Sequence, residues 1–150
     1  MFDKVVIGGT FNTLHRGHKA VLDTGFEVGK TVVIGLTSDD FANRIRTTEV
    51  LNYEERKHNI IQYIKRFNKD YEIQKITDPY AIATIDPGVD AIVVSKETLM
   101  RAEEINAIRA KKCLDELTII VVPTALAKDG RPISGNLIRK GEIDIDGNLL

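Results

Sequence analysis

Short runs of β-branched residues alternate with longer amphipathic stretches along the whole chain, and this alternation constrains the fold more than any other feature. A strand followed by a covering helix and then by another strand builds a parallel sheet with helices over its faces. The predicted strands are residues 5–8, 31–36, 71–76, 91–94 and 118–122. All but the third are almost uncharged, as strands covered on both faces should be. Predicted helices run over 17–28, with Ala20, Val21 and Val28 along one side, and over 53–67, with Ile60, Ile61, Ile64 and Phe67 at helical spacing. A third covers 97–117, with Leu99, Ala102, Ile105 and Ile108 in one stripe. Thr37, Ser38, Asp39 and Asp40 offer caps for a short helix through Ile45, and Ser134 caps a last helix through Lys140. The expectation is an α/β fold, a doubly wound open parallel sheet of about five strands, in one domain spanning 1–150.

Composition narrows the function classes. The 21 Lys and Arg nearly cancel the 22 Asp and Glu, leaving a net charge of −1, so no long-range field favours nucleic acid or an anionic membrane as partner. No run approaches the roughly 18 apolar residues of a membrane span. The single cysteine, Cys113, excludes a disulfide framework and a four-thiolate zinc site and fits a reducing, cytoplasmic compartment. The first residues carry neither the charged lead nor the apolar run of a signal peptide, so no cleaved leader is predicted. Sheet edges and exposed helix faces leave the oligomeric state open.

In open α/β sheets ligands bind beyond the carboxyl ends of the strands. The first such loop reads Gly8-Gly9-Thr10-Phe11-Asn12-Thr13-Leu14-His15-Arg16-Gly17-His18. Glycines let backbone approach an anion, and a helix beginning near Gly17 points N–H groups and a partial positive charge at whatever lies before it. His15 and His18 are three apart and can face one ligand, where imidazole donates to a phosphoryl oxygen. Alone, a histidine in such a loop packs or caps; the joint pattern favours a phosphate site. A zinc pair is the other reading, and neither His58 nor Cys113 stands at a zinc-motif spacing.

This segment resembles the GTFDxLHxGH motif of the nucleotidyltransferase superfamily, with Asn12 where that family carries Asp. A second family motif, ISSTxIR, is similar to Ile133-Ser134-Gly135-Asn136-Leu137-Ile138-Arg139. Val93-Val94-Ser95-Lys96-Glu97-Thr98 followed by Ile105-Asn106-Ala107-Ile108-Arg109 looks like the VVSxET and INxxR segment of phosphopantetheine adenylyltransferases of the archaeal and eukaryotic type. Tyr53-Glu54-Glu55-Arg56 matches a tract that related cytidylyltransferases share.

The resemblance implies a Rossmann-like nucleotidyltransferase fold and transfer of the adenylyl group of ATP to 4'-phosphopantetheine, giving dephospho-coenzyme A and pyrophosphate by direct in-line attack. On that reading His15, His18 and Arg139 are catalytic, and Gly8, Gly9, Thr10, Phe11, Gly17, His18, Ser134 and Arg139 bind the nucleotide. Thr10, Lys19, Asn106 and Arg109 bind the acceptor; Asn106 and Arg109, one turn apart, present an amide and a guanidinium from one helix face. Lys19, Arg44 and Arg46 follow the first and second strands and can neutralise a substrate phosphate or the leaving pyrophosphate; a solvated helix face is the other reading. Mg2+ accompanies ATP, its ligands mostly phosphates and water; no protein metal ligand is assigned. The alternatives are a cytidylyltransferase or flavin adenylyltransferase of the same superfamily, and a non-catalytic nucleotide-binding module.

Overall fold

A computed structural model of the chain describes residues 1–45, 49–81, 86–123, 128, 130, 141, 144 and 146–149. Its strands are β1 (Phe2–Gly9), β2 (Gly29–Thr37), β3 (Asp70–Ile76), β4 (Ala91–Ser95) and β5 (Thr118–Val122), and every predicted strand lies inside one of them. The helices are α1 (Arg16–Val28), α2 (Asp39–Ile45), α3 (Tyr53–Ile64) and α4 (Leu99–Lys111). The strands pair in parallel in the order β3-β2-β1-β4-β5. The predicted helix over 134–140 lies outside the described residues.

Strict alternation along the inner strands divides the apolar side chains between two faces. Val5, Ile7, Val32, Ile34, Leu36, Ala91 and Val93 pack on one face with Leu22 and Phe26 of α1 and Ile60 and Ile64 of α3. Val6, Val33, Ile92 and Val94 pack on the other with Ala102 and Ile105 of α4. Each such side chain, fully buried, contributes roughly 1.5–3 kcal/mol, so these two layers dominate the stability. The chain winds outward through β2 and β3, then returns beside β1 to add β4 and β5. Right-handed crossovers put α1 and α3 over one face and α4 over the other. The strand order reverses between β1 and β4, the place where open α/β sheets form a ligand crevice at the strands' carboxyl ends.

Departures from the predicted elements have local causes. The charged third strand, β3, is an edge strand, where charges blunt unwanted pairing. The buried stripe of α1 is Leu22, Gly25 and Phe26, while Ala20, Val21 and Val28 flank it half-buried. The last turn of the 53–67 stretch tightens into a 3-10 turn over Lys65–Phe67, closed by Asn68 at φ 50°. The predicted helix over 97–117 opens with a 3-10 turn over Lys96–Thr98, capped by Ser95 and Thr98, and stops at Lys111. Cys113 takes φ 59°, the Cys113 N–H donates to Ala110 O at 3.1 Å and the Leu114 N–H to Arg109 O at 2.9 Å, a Schellman closure with cysteine in the place glycine usually fills.

Gly25 brings α1 close to β1, since a Cβ there would stand 2.5 Å from Ile7 Cδ1. Gly25→Val is expected to lower unfolding stability by roughly 1–3 kcal/mol through overpacking, read as a lower urea midpoint at unchanged m-value.

Candidate active site

The loop after β1 is seated from beneath by an aromatic ring. Phe11 takes φ 51°, a left-handed conformation that an aromatic residue adopts only when its surroundings hold it there. Its ring is buried, and its centroid lies 5.1 Å from that of His18. A Cβ on Gly9 would come within 2.9 Å of that ring, so Gly9 makes room for Phe11. The side chain of Phe11, predicted as a nucleotide contact, is therefore a support beneath His18 that faces the core. Gly8 differs: it pairs with Gly35 of β2, on the face of the sheet that carries Val6 and Val33. Among the described residues a Cβ on Gly8 would meet only Gly35 O, at 3.9 Å, so the two glycines leave bare backbone at the sheet's carboxyl edge.

His15 is the N-cap of α1. Its Nδ1 accepts from the Gly17 N–H at 3.0 Å and the His18 N–H at 3.4 Å, so Nδ1 carries no proton and the neutral ring holds its proton on Nε2. The rings of His15 and His18 stack at 3.8 Å with an interplanar angle of 14°. The structure thus brings the two histidines together at the first turn of α1, beside the crevice. It also corrects one expectation: the Gly17 and His18 N–H groups, read as phosphate donors, are occupied by the His15 imidazole.

Behind this loop lies Arg56, fully buried on α3. Its Nε donates to Leu51 O at 2.8 Å, Nη1 to Thr10 O at 3.0 Å and to Thr37 Oγ1 at 3.1 Å, and Nη2 to Asp39 Oδ1 at 3.0 Å. Asn12 ties the loop to the same region, accepting from the Leu51 N–H at 2.7 Å and donating to Glu49 O at 3.2 Å. A carboxylate here could not make the second bond, which gives Asn12 its physical reason where the family motif carries Asp. Asn52 caps α3 by accepting from the Glu55 N–H at 2.9 Å. Arg56 and Asn52 were not among the predicted site residues; the Tyr53-Glu54-Glu55-Arg56 tract was the available signal for the first.

Lys19 lies against an aromatic ring of α3. Its ammonium lies 5.5 Å from the ring centroid of Tyr63, near the end of α3. Burial, and then the hydrogen bond donated to Asp23, push the Tyr63 phenol up to about 12, so the ring stays neutral beneath the cation. Arg44 donates to Thr77 O at 3.4 Å. Ser134, Arg139 and Arg46 lie outside the described residues.

Asn106 and Arg109, expected at the acceptor, pair with backbone groups around the far end of α4. α4 runs back from the carboxyl end of β4, so its last turns lie at the amino end of the sheet, opposite the crevice. Asn106 accepts from the Leu117 N–H at 2.7 Å and donates to Leu117 O at 3.1 Å. Arg109, 1% exposed, donates to Asp115 O at 2.7 Å and Asp86 O at 3.2 Å. Both side chains hold the turn into β5 and the approach to β4, which is what their one-turn spacing serves. Among the described residues no three His, Cys, Asp or Glu side chains gather to hold a metal ion, and no helix is long and apolar enough to cross a membrane.

An all-parallel sheet in this order, with paired imidazoles opening the helix at its crevice, defines an α/β domain of the nucleotidyltransferase type. The cytidylyltransferase-like family profile matches residues 6–141, and the chain belongs to that family. It is 42% identical over 149 residues to the phosphopantetheine adenylyltransferase of Methanothermobacter thermautotrophicus, spanning 99% of this chain and 90% of that protein. It is 46% identical over 149 residues to the phosphopantetheine adenylyltransferase of Pyrococcus abyssi, spanning 98% and 95%. Among solved structures, a protein of unknown function from Archaeoglobus fulgidus matches at a TM-score of 0.72 and 36% identity, covering 79% of this chain and 88% of that one.

Asn106→Ala separates the two roles of that residue. Loss of its amide leaves the Leu117 backbone groups unpaired and is expected to cost roughly 1–3 kcal/mol in chemical denaturation. The KM for a phosphorylated acceptor should stay unchanged; an acceptor contact would give the opposite pattern.

Proposed function

We propose that this chain transfers the adenylyl group of ATP to 4'-phosphopantetheine, releasing pyrophosphate and giving dephospho-coenzyme A, a step of coenzyme A biosynthesis. The observation that carries this reading is the stacked His15–His18 pair at the opening of α1, beside the strand-order reversal. Full-length similarity to relatives named phosphopantetheine adenylyltransferase supports the choice of acceptor.

In this mechanism a phosphate oxygen of the acceptor attacks the α-phosphorus of ATP in line with the departing pyrophosphate. The new P–O bond forms as the bond to the pyrophosphate oxygen breaks, and the leaving group takes that electron pair. The acceptor phosphate is already ionised near neutral pH, so no general base is required. Rate enhancement then comes from alignment and from donors that tighten on the charge developing at the transferred group. The proton on His15 Nε2 and the His18 ring supply such donors from the first helix, and Ser134 and Arg139 supply them from the second motif. With its Nδ1 held by two backbone N–H groups, the His15 ring is fixed before substrate arrives, so little reorganisation is left for the transition state.

Thr10, at the end of β1, offers its hydroxyl to the acceptor phosphate. Mg2+ enters as part of the Mg–ATP substrate, bound by phosphate oxygens and water, and offsets the charge of the triphosphate. The compartment we read as the cytoplasm, since an exposed, free Cys113 suits reducing surroundings.

Two measurements test this reading. Pyrophosphate release should be seen with ATP and 4'-phosphopantetheine and not with CTP and glycerol phosphate; the reverse selectivity would assign a cytidylyltransferase, and nucleotide binding without release on any acceptor would assign a silent module. His18→Ala should lower turnover on the order of 100-fold to 1000-fold, as the loss of one preorganised donor does, with the urea midpoint little changed.

A further inference from the structure

Three polar groups behind the crevice form a chain of hydrogen bonds whose direction is set by its innermost member. Arg56 is fully buried and its guanidinium has only N–H donors. One hydrogen of Nη1 goes to Thr10 O and the other to Thr37 Oγ1. Thr37, 4% exposed at the end of β2, has one hydroxyl hydrogen, and Thr10 Oγ1 at 3.0 Å is its acceptor. The opposite polarity would leave that buried hydrogen with no partner among the described residues, a cost that burial makes high. Thr10 Oγ1 is therefore an acceptor on its inner side, and its own hydrogen has no acceptor among the described residues. Thr10 begins the loop that leads from β1 to the paired histidines, so this hydrogen stands at the end of the relay nearest that loop.

We propose that Arg56, acting through Thr37, makes the Thr10 hydroxyl an obligatory hydrogen-bond donor, so that this corner of the crevice selects an acceptor presenting an anionic phosphate oxygen. Thr37 and Arg56 are then positioning residues for acceptor recognition; the proposal rests on the reading of Thr10 as the acceptor's contact. A buried cation at the closed end of the chain polarises both hydroxyls and strengthens the outward bond. Neither Thr37 nor Arg56 touches substrate, and their effect reaches the acceptor only through Thr10.

Steady-state kinetics with 4'-phosphopantetheine and ATP, on the full chain, test it through a double-mutant cycle. Thr37→Val keeps the volume and removes the hydroxyl. It should raise the acceptor KM on the order of 10-fold, the effect of one charge-assisted hydrogen bond, while kcat and the KM for ATP stay within about 2-fold. Thr37→Ser should restore the acceptor KM to within about 2-fold of the original chain. Thr10→Val should raise the acceptor KM at least as far, and the Thr10→Val/Thr37→Val double variant should be no worse than Thr10→Val alone. An unchanged acceptor KM in Thr37→Val, additive effects in the double variant, or parallel losses in kcat and both KM values would overturn the relay. An unchanged acceptor KM in Thr10→Val would instead remove Thr10 from the acceptor site, and the relay with it. No pyrophosphate release by the original chain would remove the proposed reaction itself. Should Thr37→Val fail to fold by urea denaturation, Thr37→Cys replaces the hydroxyl with a weak thiol donor at similar volume. It should still raise the acceptor KM; no rise there overturns the relay equally.

Discussion

A guanidinium with no water around it must be surrounded by acceptors, and the four groups that surround Arg56 belong to four separate segments. Thr10 follows β1, Thr37 ends β2, Asp39 begins α2 and Leu51 precedes α3. Leaving any of them out of reach would strand part of a buried charge, which costs far more than the bond itself contributes. Only Asp39 carries an opposing charge, and its carboxylate is half-exposed; the other acceptors are neutral oxygens. The cation thus fixes the relative placement of the segments along the sheet's carboxyl edge. The strand-order reversal supplies a crevice, and this network holds one of its walls still.

The strands were legible because strands covered on both faces need uncharged, β-branched runs, and a charged run in their midst marks an edge. The histidine loop was legible because its residue types recur at one spacing across a family. Other features lacked such a signal. A helix closed by cysteine in the left-handed region carries neither the glycine nor the proline that usually announces an end, so α4 was read too long. An imidazole is not among the side chains that usually cap a helix, so the loop pattern favours both histidine rings and the Gly17 and His18 N–H groups as phosphate donors, when His15 Nδ1 holds those backbone groups. The tract over 53–56 points to Arg56 but not to its network: the partners stand as far as 46 residues away in the chain, and only the folded sheet brings them together.

Asn106 and Arg109 show the limit of carrying roles across a motif. The pattern that links this chain to its relatives is as well explained by architecture as by ligand. An amide pairing with both backbone groups of Leu117, and a guanidinium held by the carbonyls of Asp115 and Asp86, join α4 to the two strands it connects. A motif split between the two ends of α4 therefore contains parts with different tasks. Ser95 and Thr98 shape the turn that leaves β4 at the crevice, and Asn106 and Arg109 brace the opposite end.

The meeting of Gly8 and Gly35 has a consequence for how sequences of this kind can vary. The notch they leave belongs to no single residue; it exists because two side-chain-free positions fall in the same row of neighbouring strands. Sliding β2 by one place along β1 would set Gly8 beside Ile34 or Leu36 and turn an entire apolar set outward. An insertion or deletion within either strand would therefore lose the gap and the core together.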